Sequence, residues 1–202
     1  METTTKTNTV TIPYNSLVVY EGGGYDGCFW EFNAFIKDKE GLYHNLYTTG
    51  TNGLRDTQLN DEYLSTHFTD NNLSYEFIDL DNEEEILEYT KRANASLVIE
   101  FGTKTNQIYN KLYNKTPMVI KCPMCLSIEP IYDENVIGIG LQHNGGISYT
   151  SKDVICMNCY SEHTCGYCGE FHEDINDMYL GEDGEHCIYC NPKQDEVEDE
   201  KR

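Results

Sequence analysis

Basic residues are scarce in this 202-residue chain, where 14 lysines and arginines stand against 35 aspartates and glutamates. The resulting formal net charge of −21 repels phosphate backbones and favours basic partners, although it also serves solubility alone. The shortage is sharpest in residues 116–192, which contain Lys121 and Lys152 as their basic residues against twelve acidic ones. Direct binding to nucleic acid is therefore not expected.

Long apolar runs are also missing from the sequence. No segment approaches the roughly 18 apolar residues that a membrane-spanning helix needs. The N-terminal residues 1–6 are polar and lack the basic start and apolar core of a secretion signal. We therefore expect a cytoplasmic protein without membrane contact, in which paired thiols are metal ligands rather than disulfides.

Cysteine is almost absent before residue 116, where Cys28 stands alone on the apolar face of a predicted strand and is expected to be a buried, inert thiol. This distribution predicts three parts. They are an acidic α+β domain over 1–115, a double zinc-finger module over 116–192 and an acidic, disordered tail over 193–202.

The first part is predicted to be an antiparallel sheet with two or three helices, two of them on one face. Regular alternation of apolar residues predicts a strand at 28–36, and short segments rich in strand-forming residues predict strands at 8–12, 16–20, 42–47, 74–80 and 97–101. Helical periodicity predicts helices at 59–67, 83–93 and 105–113, with Asp81 or Asn82 as the N-cap of the second. The glycine-rich residues 21–27 are followed by a strand pattern, which favours a β-connection over a phosphate-binding loop.

Eight of the nine cysteines form four Cys-x-x-Cys pairs. Such a turn puts two sulfurs on one side of a loop, and tetrahedral zinc needs two such turns with zinc–sulfur bonds of about 2.3 Å. A site of four thiolates has no open position for water, so the pattern predicts two structural zinc ions, no catalytic residues and no enzymatic activity. The predicted ligands are Cys122, Cys125, Cys156, Cys159, Cys165, Cys168, Cys187 and Cys190.

The spacing leaves the pairing of the four motifs open. Residues 122–160 place an Asn-Gly hairpin signal between two knuckles and resemble the zinc-ribbon family, while 165–190 resemble a second ribbon or a treble-clef finger. These resemblances imply sequential pairing of neighbouring motifs. The eight ligands also resemble a cross-braced RING-type finger, whose first and third pairs share a metal and whose customary histidine would have to be His163.

Three histidines, His163, His172 and His186, lie between the cysteines, and each could replace one of them as a ligand. The complete set of eight thiols makes this unnecessary. The dipeptide His172-Glu173 is half of a hydrolase or deaminase motif, but no second histidine follows at the required spacing.

The glycine-rich stretch over 20–31 is similar to the openings of uncharacterised bacteriophage proteins, which implies a phage-encoded protein in the host cytoplasm. Together with 16 tyrosines and the negative charge, this predicts a non-enzymatic interaction protein. Its expected partner is a basic host protein that handles nucleic acid or acts in transcription or defence, and that it modulates or inhibits. A zinc-ribbon protein that binds nucleic acid or acts in transcription and a RING-like ubiquitin-transfer scaffold are the alternatives.

Overall fold

The structure is a computed structural model that describes residues 10–23, 30–48, 59–70, 73–93, 95–139, 142–143, 146–147, 154–181 and 184–190. Within that part the fold is mixed α+β, as predicted, with a four-stranded antiparallel sheet, helices and a small module of two-stranded sheets. Cys28, most of the glycine-rich loop, the Asn144-Gly145 turn and the tail over 193–202 lie outside the described residues.

The large sheet is formed by four strands in the spatial order β3-β2-β1-β4, and all neighbours are antiparallel. The strands are β1 (Ser16–Gly23), β2 (Trp30–Lys37), β3 (Tyr43–Thr48) and β4 (Ser74–Asp79). All four were predicted from the sequence, to within a few residues, and β2 from its regular alternation. The predicted strand 8–12 is not formed over 10–12, because Val10 donates its amide to the Ser65 hydroxyl at 2.7 Å instead of to a strand.

Helices cover both faces of this sheet. The helices are α1 (Asp61–Asp70), α2 (Glu83–Arg92) and α3 (Ala95–Tyr113). As predicted, α2 and α3 share one face, where they pack on Leu17, Val19 and Ile36. The opposite face is buried too, because Leu64 and Phe68 of α1 pack on it.

The predicted strand over 97–101 is wrong, since these residues belong to α3. A five-residue apolar run has too few positions to separate a strand from a buried helix turn. In the structure Val98 and Phe101, three residues apart, are fully buried, while Glu100 is exposed. This spacing is helical, and it places both side chains in the core under the sheet.

The cysteine-rich part follows α3 as a series of short hairpins. Its strands are β5 (Val119–Lys121), β6 (Ile128–Pro130), β7 (Val136–Gly138), β8 (Gln142–His143), β9 (Gly146–Ile147), β10 (Val154–Cys156), β11 (Met178–Gly181) and β12 (Gly184–Cys187). Its helices are α4 (Met157–Glu162) and two 3-10 helices, Ile175–Asp177 and Ile188–Cys190. The strands pair antiparallel as β5 with β6, β7 with β10, β8 with β9 and β11 with β12.

One apolar core extends from the sheet into this cysteine-rich part. Met118, Ile120, Ile131, Val136 and Val154 belong to the same cluster of buried side chains as the sheet residues under α2 and α3. The domain boundary after residue 115 remains a prediction, but the described core is continuous across it. No helix in the described part of the chain is long and apolar enough to cross a lipid bilayer.

Candidate metal centres

The first cysteine group combines a hairpin loop with the start of a helix. Cys122 and Cys125 lie in the loop between β5 and β6, which is closed by the amide of Leu126 bonding to the Cys122 carbonyl at 2.9 Å. Cys156 ends β10 and caps α4, where its Sγ accepts the amide of Cys159 at 3.5 Å. The zinc-ribbon expectation of two loop knuckles is thus not met here, because the second pair lies at a strand–helix junction.

The sulfur positions of this first group fit a tetrahedral metal ion. All four Sγ atoms lie within 4.8 Å of one another, with 3.9 Å between Cys122 and Cys159 and 3.7 Å between Cys125 and Cys156. Four sulfurs bound at about 2.3 Å to one zinc ion are about 3.8 Å apart. A disulfide would bring two of them to about 2.05 Å, and all four thiols are free.

The second cysteine group joins a turn to the end of a hairpin. Cys165 and Cys168 lie in a turn in which Gly169, at φ +73°, donates its amide to the Cys165 carbonyl at 2.8 Å. Glycine suits this position, because a residue without Cβ adopts a positive φ at little cost. Cys187 ends β12, Cys190 lies in the last 3-10 helix, and Cys168 Sγ is 3.9 Å from Cys187 Sγ.

Burial is unequal within each group. In the first group Cys122, Cys156 and Cys159 are buried among apolar side chains, and Cys125 is exposed. In the second group Cys165 and Cys187 are buried, Cys190 is half-buried and Cys168 is exposed. Each group thus has one exposed cysteine, Cys125 or Cys168, and in the second group Cys190 is partly exposed as well.

The pKa shifts of the thiols reflect a repulsion between thiolates that a bound cation would relieve. The hydroxyl and amide of Ser127 lower the pKa of Cys125 to about 6, whereas burial and the sulfurs of Cys156 and Cys125 raise the pKa of Cys159. In the second group the sulfurs of Cys168 and Cys187 raise the pKa of Cys190. Four thiolates at this spacing repel one another, and a divalent cation at their centre removes the repulsion.

The structure confirms the sequential pairing of the four motifs. Its two groups are Cys122, Cys125, Cys156 and Cys159, and Cys165, Cys168, Cys187 and Cys190, which fit two structural zinc ions. The cross-braced alternative, with the first and third motifs on one metal, is not formed. His163 belongs to neither group, because its Nδ1 lies 2.7 Å from the His172 carbonyl oxygen and its ring stacks on Phe171.

No family model, curated protein or solved structure matches this chain. The assignment of two zinc centres therefore rests on the cysteine positions and the sulfur–sulfur distances given above. The resemblances to ribbons and to phage proteins rest only on the motifs that suggested them.

A smaller set of potential ligands adjoins the second group. Glu170 and His172 place an oxygen and a ring nitrogen within 4.8 Å of Cys168 Sγ. His172 was predicted as a possible substitute ligand, whereas no sequence motif pointed to Glu170. Because this set reuses Cys168, it is an alternative to the four-thiolate site at that sulfur.

Proposed function

We propose that this chain is a non-enzymatic zinc-binding protein that binds a basic protein partner through an acidic surface beside its second zinc centre. Two fully ligated zinc ions would fix the loops around them and leave no metal position for substrate. The role of the module is then to present side chains at the protein surface in a fixed arrangement.

The observation that carries the proposal is the display of two tyrosines at the second centre. Tyr167 precedes Cys168 and Tyr189 precedes Cys190, and their exposed fractions are 70% and 73%. Tyrosine is enriched at protein interfaces because it offers a large, rigid apolar surface with a polar tip. Matching positions in two metal-anchored turns make these residues suitable anchors for a partner.

The negative charge beside these tyrosines favours a basic protein as the partner. Glu170, Glu173 and Asp174 are exposed between the third and fourth cysteine motifs. Such a group steers a basic surface into place and repels phosphate. We propose a host protein that handles nucleic acid or acts in transcription or defence, whose basic surface this phage-encoded chain would cover and thereby inhibit.

The test is a pull-down from host lysate at about 150 mM salt, followed by binding measurements with each recovered protein after purification. The double variant Tyr167→Ala/Tyr189→Ala is expected to lose most of the binding and to keep its full zinc content. Tyr63→Ala, on α1, is the matched control because Tyr63 is also exposed, at 37%. Recovery of no basic protein, or equal binding by the double variant, would overturn the proposal.

The two alternative functions have separate assays. A gel shift with mixed DNA and RNA is expected to show no retention, because the described residues of the module include one lysine, Lys121. Autoubiquitination with a panel of conjugating enzymes is expected to give no product, because the RING-type pairing is not formed. Salt-sensitive retention or a ubiquitin ladder would replace the proposed function with the corresponding alternative.

A further inference from the structure

A cleft of about 560 Å³ lies on the sheet face that α2 and α3 cover, next to the C-terminal end of α2. None of its lining residues belongs to either cysteine group. Small-molecule sites have volumes of roughly 300–1,000 Å³. The cleft is therefore large enough for a small ligand or for one long side chain of another protein.

A row of four aromatic rings lines this cleft. The ring of Phe32 on β2 lies 5.8 Å from that of Tyr47 on β3 and 6.4 Å from that of Phe101 on α3. Tyr89 on α2 continues the row at 6.1 Å from Phe101. Phe101 and Tyr89 are buried, whereas Phe32 and Tyr47 are only partly buried, so these two residues form the accessible part of the row. Aromatic faces are electron-rich and attract cations.

The charged residues of the cleft also favour a cation. Glu76 and Arg92 form a two-bond ion pair, and the Arg92 guanidinium lies 5.3 Å from the centre of the Tyr89 ring. Among the described residues that line the cleft, this pairing leaves Glu21 as the carboxylate without a cationic partner. An anionic ligand would face Glu21 and would have to displace Glu76 from Arg92.

The pKa of the Tyr89 hydroxyl is affected by the same negative charges. Burial raises its pKa first, and the nearby carboxylates of Glu76 and Glu21 raise it further, against the opposing effect of Arg92. The cleft therefore combines aromatic faces with negative potential, in a molecule whose net charge is −21.

We propose that this cleft binds an organic ammonium cation with an apolar body. The cation would lie against the aromatic row and within reach of the Glu21 carboxylate. Methylated or alkylated ammonium groups suit such a site, because they are weakly hydrated and cation–π attraction is strongest where water is excluded. A free small cation and the lysine side chain of another protein carry this same chemistry. The proposal is independent of the partner-binding function proposed above.

The test compares choline with its neutral carbon isostere, 3,3-dimethylbutan-1-ol, which has the same shape without the charge. The zinc-loaded full chain is titrated with each compound, and binding is followed by NMR shifts of the aromatic ring protons. Choline is expected to bind at least about 10-fold more tightly than the isostere. Equal binding of both compounds, or no shift with either at about 50 mM, would overturn the proposal.

Two variants locate the binding within the cleft. Glu21→Gln is expected to weaken choline about 3-fold or more, and Tyr47→Leu, which keeps an apolar side chain, about 5-fold or more. Glu62→Gln on α1 is the matched control, because Glu62 is exposed and does not line the cleft. Choline binding that neither cleft variant weakens would overturn the assignment.

A lysine capped as its N-acetyl methylamide separates the two sources of the cation. Tighter binding of capped lysine than of choline assigns the cleft to a partner's side chain, and the reverse order assigns it to a free cation. Both orders support an ammonium site. This result is also separate from the pull-down, since neither cleft variant changes the tyrosines at the second zinc centre.

Discussion

Asn106 joins the helical layer to the cysteine-rich module through one buried side chain. Its amide group donates to the carbonyls of Met118 at 2.8 Å and Ile131 at 3.0 Å, and its oxygen accepts the Met118 amide at 2.9 Å. The residue is fully buried in α3. Three backbone groups of the module therefore bond to this single residue, and one of them, the Met118 carbonyl, also accepts the Ile131 amide at 2.9 Å.

Replacing Asn106 by alanine is expected to lower the free energy of unfolding by about 2–4 kcal/mol, because buried backbone groups lose their partners. Urea unfolding followed by circular dichroism measures the change. Gln107→Ala, at the next and exposed position of α3, is the control and is expected to change stability by less than about 0.5 kcal/mol. Equal effects of the two substitutions would contradict this role of Asn106.

The ionisation of Asp38 makes the free energy of unfolding depend on pH. Its side chain is buried, which opposes ionisation, but the His44 ring and the amides of Leu42 and Glu40 outweigh burial and lower the pKa of Asp38. Because the folded pKa is below the unfolded value of about 3.9, its stabilisation is present above about pH 4 and lost as pH falls further.

The difference in unfolding free energy between the wild type and Asp38→Asn is therefore expected to be constant from about pH 7 to 5 and to shrink below about pH 4. Urea titrations of both proteins at each pH measure it. Acid-driven loss of zinc affects both proteins and cancels in the difference. A difference that grows as the pH falls below 4 would show that the sign of the pKa shift is wrong.

At the scale of elements, α3 shows where sequence patterns were sufficient and where they were not. The patterns of four strands, including the regular alternation in β2, and the capping signal before α2 were specific, and Asn82 is indeed the N-cap, accepting the Glu85 amide at 3.3 Å. The run over 97–101 was ambiguous in period, so its residues were predicted as a strand separate from the helix over 105–113. The structure instead uses Gly102 inside α3 for close packing.

Gly102→Ala tests that packing. A Cβ at this position would lie 2.7 Å from Ile131 Cγ2 and 3.1 Å from Ile131 Cβ, so the buried Ile131 would have to move. We expect a net loss of about 1–2 kcal/mol in thermal or urea unfolding, because overpacking outweighs the better helix propensity of alanine. A gain of about 1 kcal/mol, as propensity alone predicts, would contradict the close approach.

The cysteine motifs show the same division between local and long-range information. The resemblances implied the sequential pairing that the structure has, whereas the spacing predicted the eight candidate ligands and left their pairing open. It did not show that Cys156 and Cys159 lie at a strand–helix junction, because that depends on how β10 pairs with the distant β7. The burial of Phe35 likewise could not be read from its own strand, since α1 packs on its face from a separate part of the chain.

At the scale of the whole molecule, the continuous core links the zinc sites to the sheet. Val136 and Val154 pack in the same cluster as the sheet. They belong to the paired strands β7 and β10, and Cys156 is the last residue of β10. Removing zinc is therefore expected to unfold the cysteine-rich module and also to lower the stability of the sheet. A chain denatured in the presence of a strong chelator should show a transition midpoint lower than that of the zinc-loaded protein.

The stability of the sheet must be measured separately from that of the cysteine-rich module. Hydrogen exchange of amides in β1, which lies centrally between β2 and β4, serves this purpose. Faster exchange in β1 after chelation is expected, and re-addition of zinc should restore protection. Unchanged exchange in β1 would mean that the two parts fold independently despite the shared core.

The most direct test of the two closed zinc centres is the metal content of the purified chain by native mass spectrometry. The account predicts two zinc ions per chain with eight reduced cysteines in the two groups, and one zinc ion in either Cys122→Ser or Cys187→Ser. Cys28→Ser is the control and should retain both ions. A chain without zinc whose mass shows disulfides, or loss of both ions from either single variant, would contradict it.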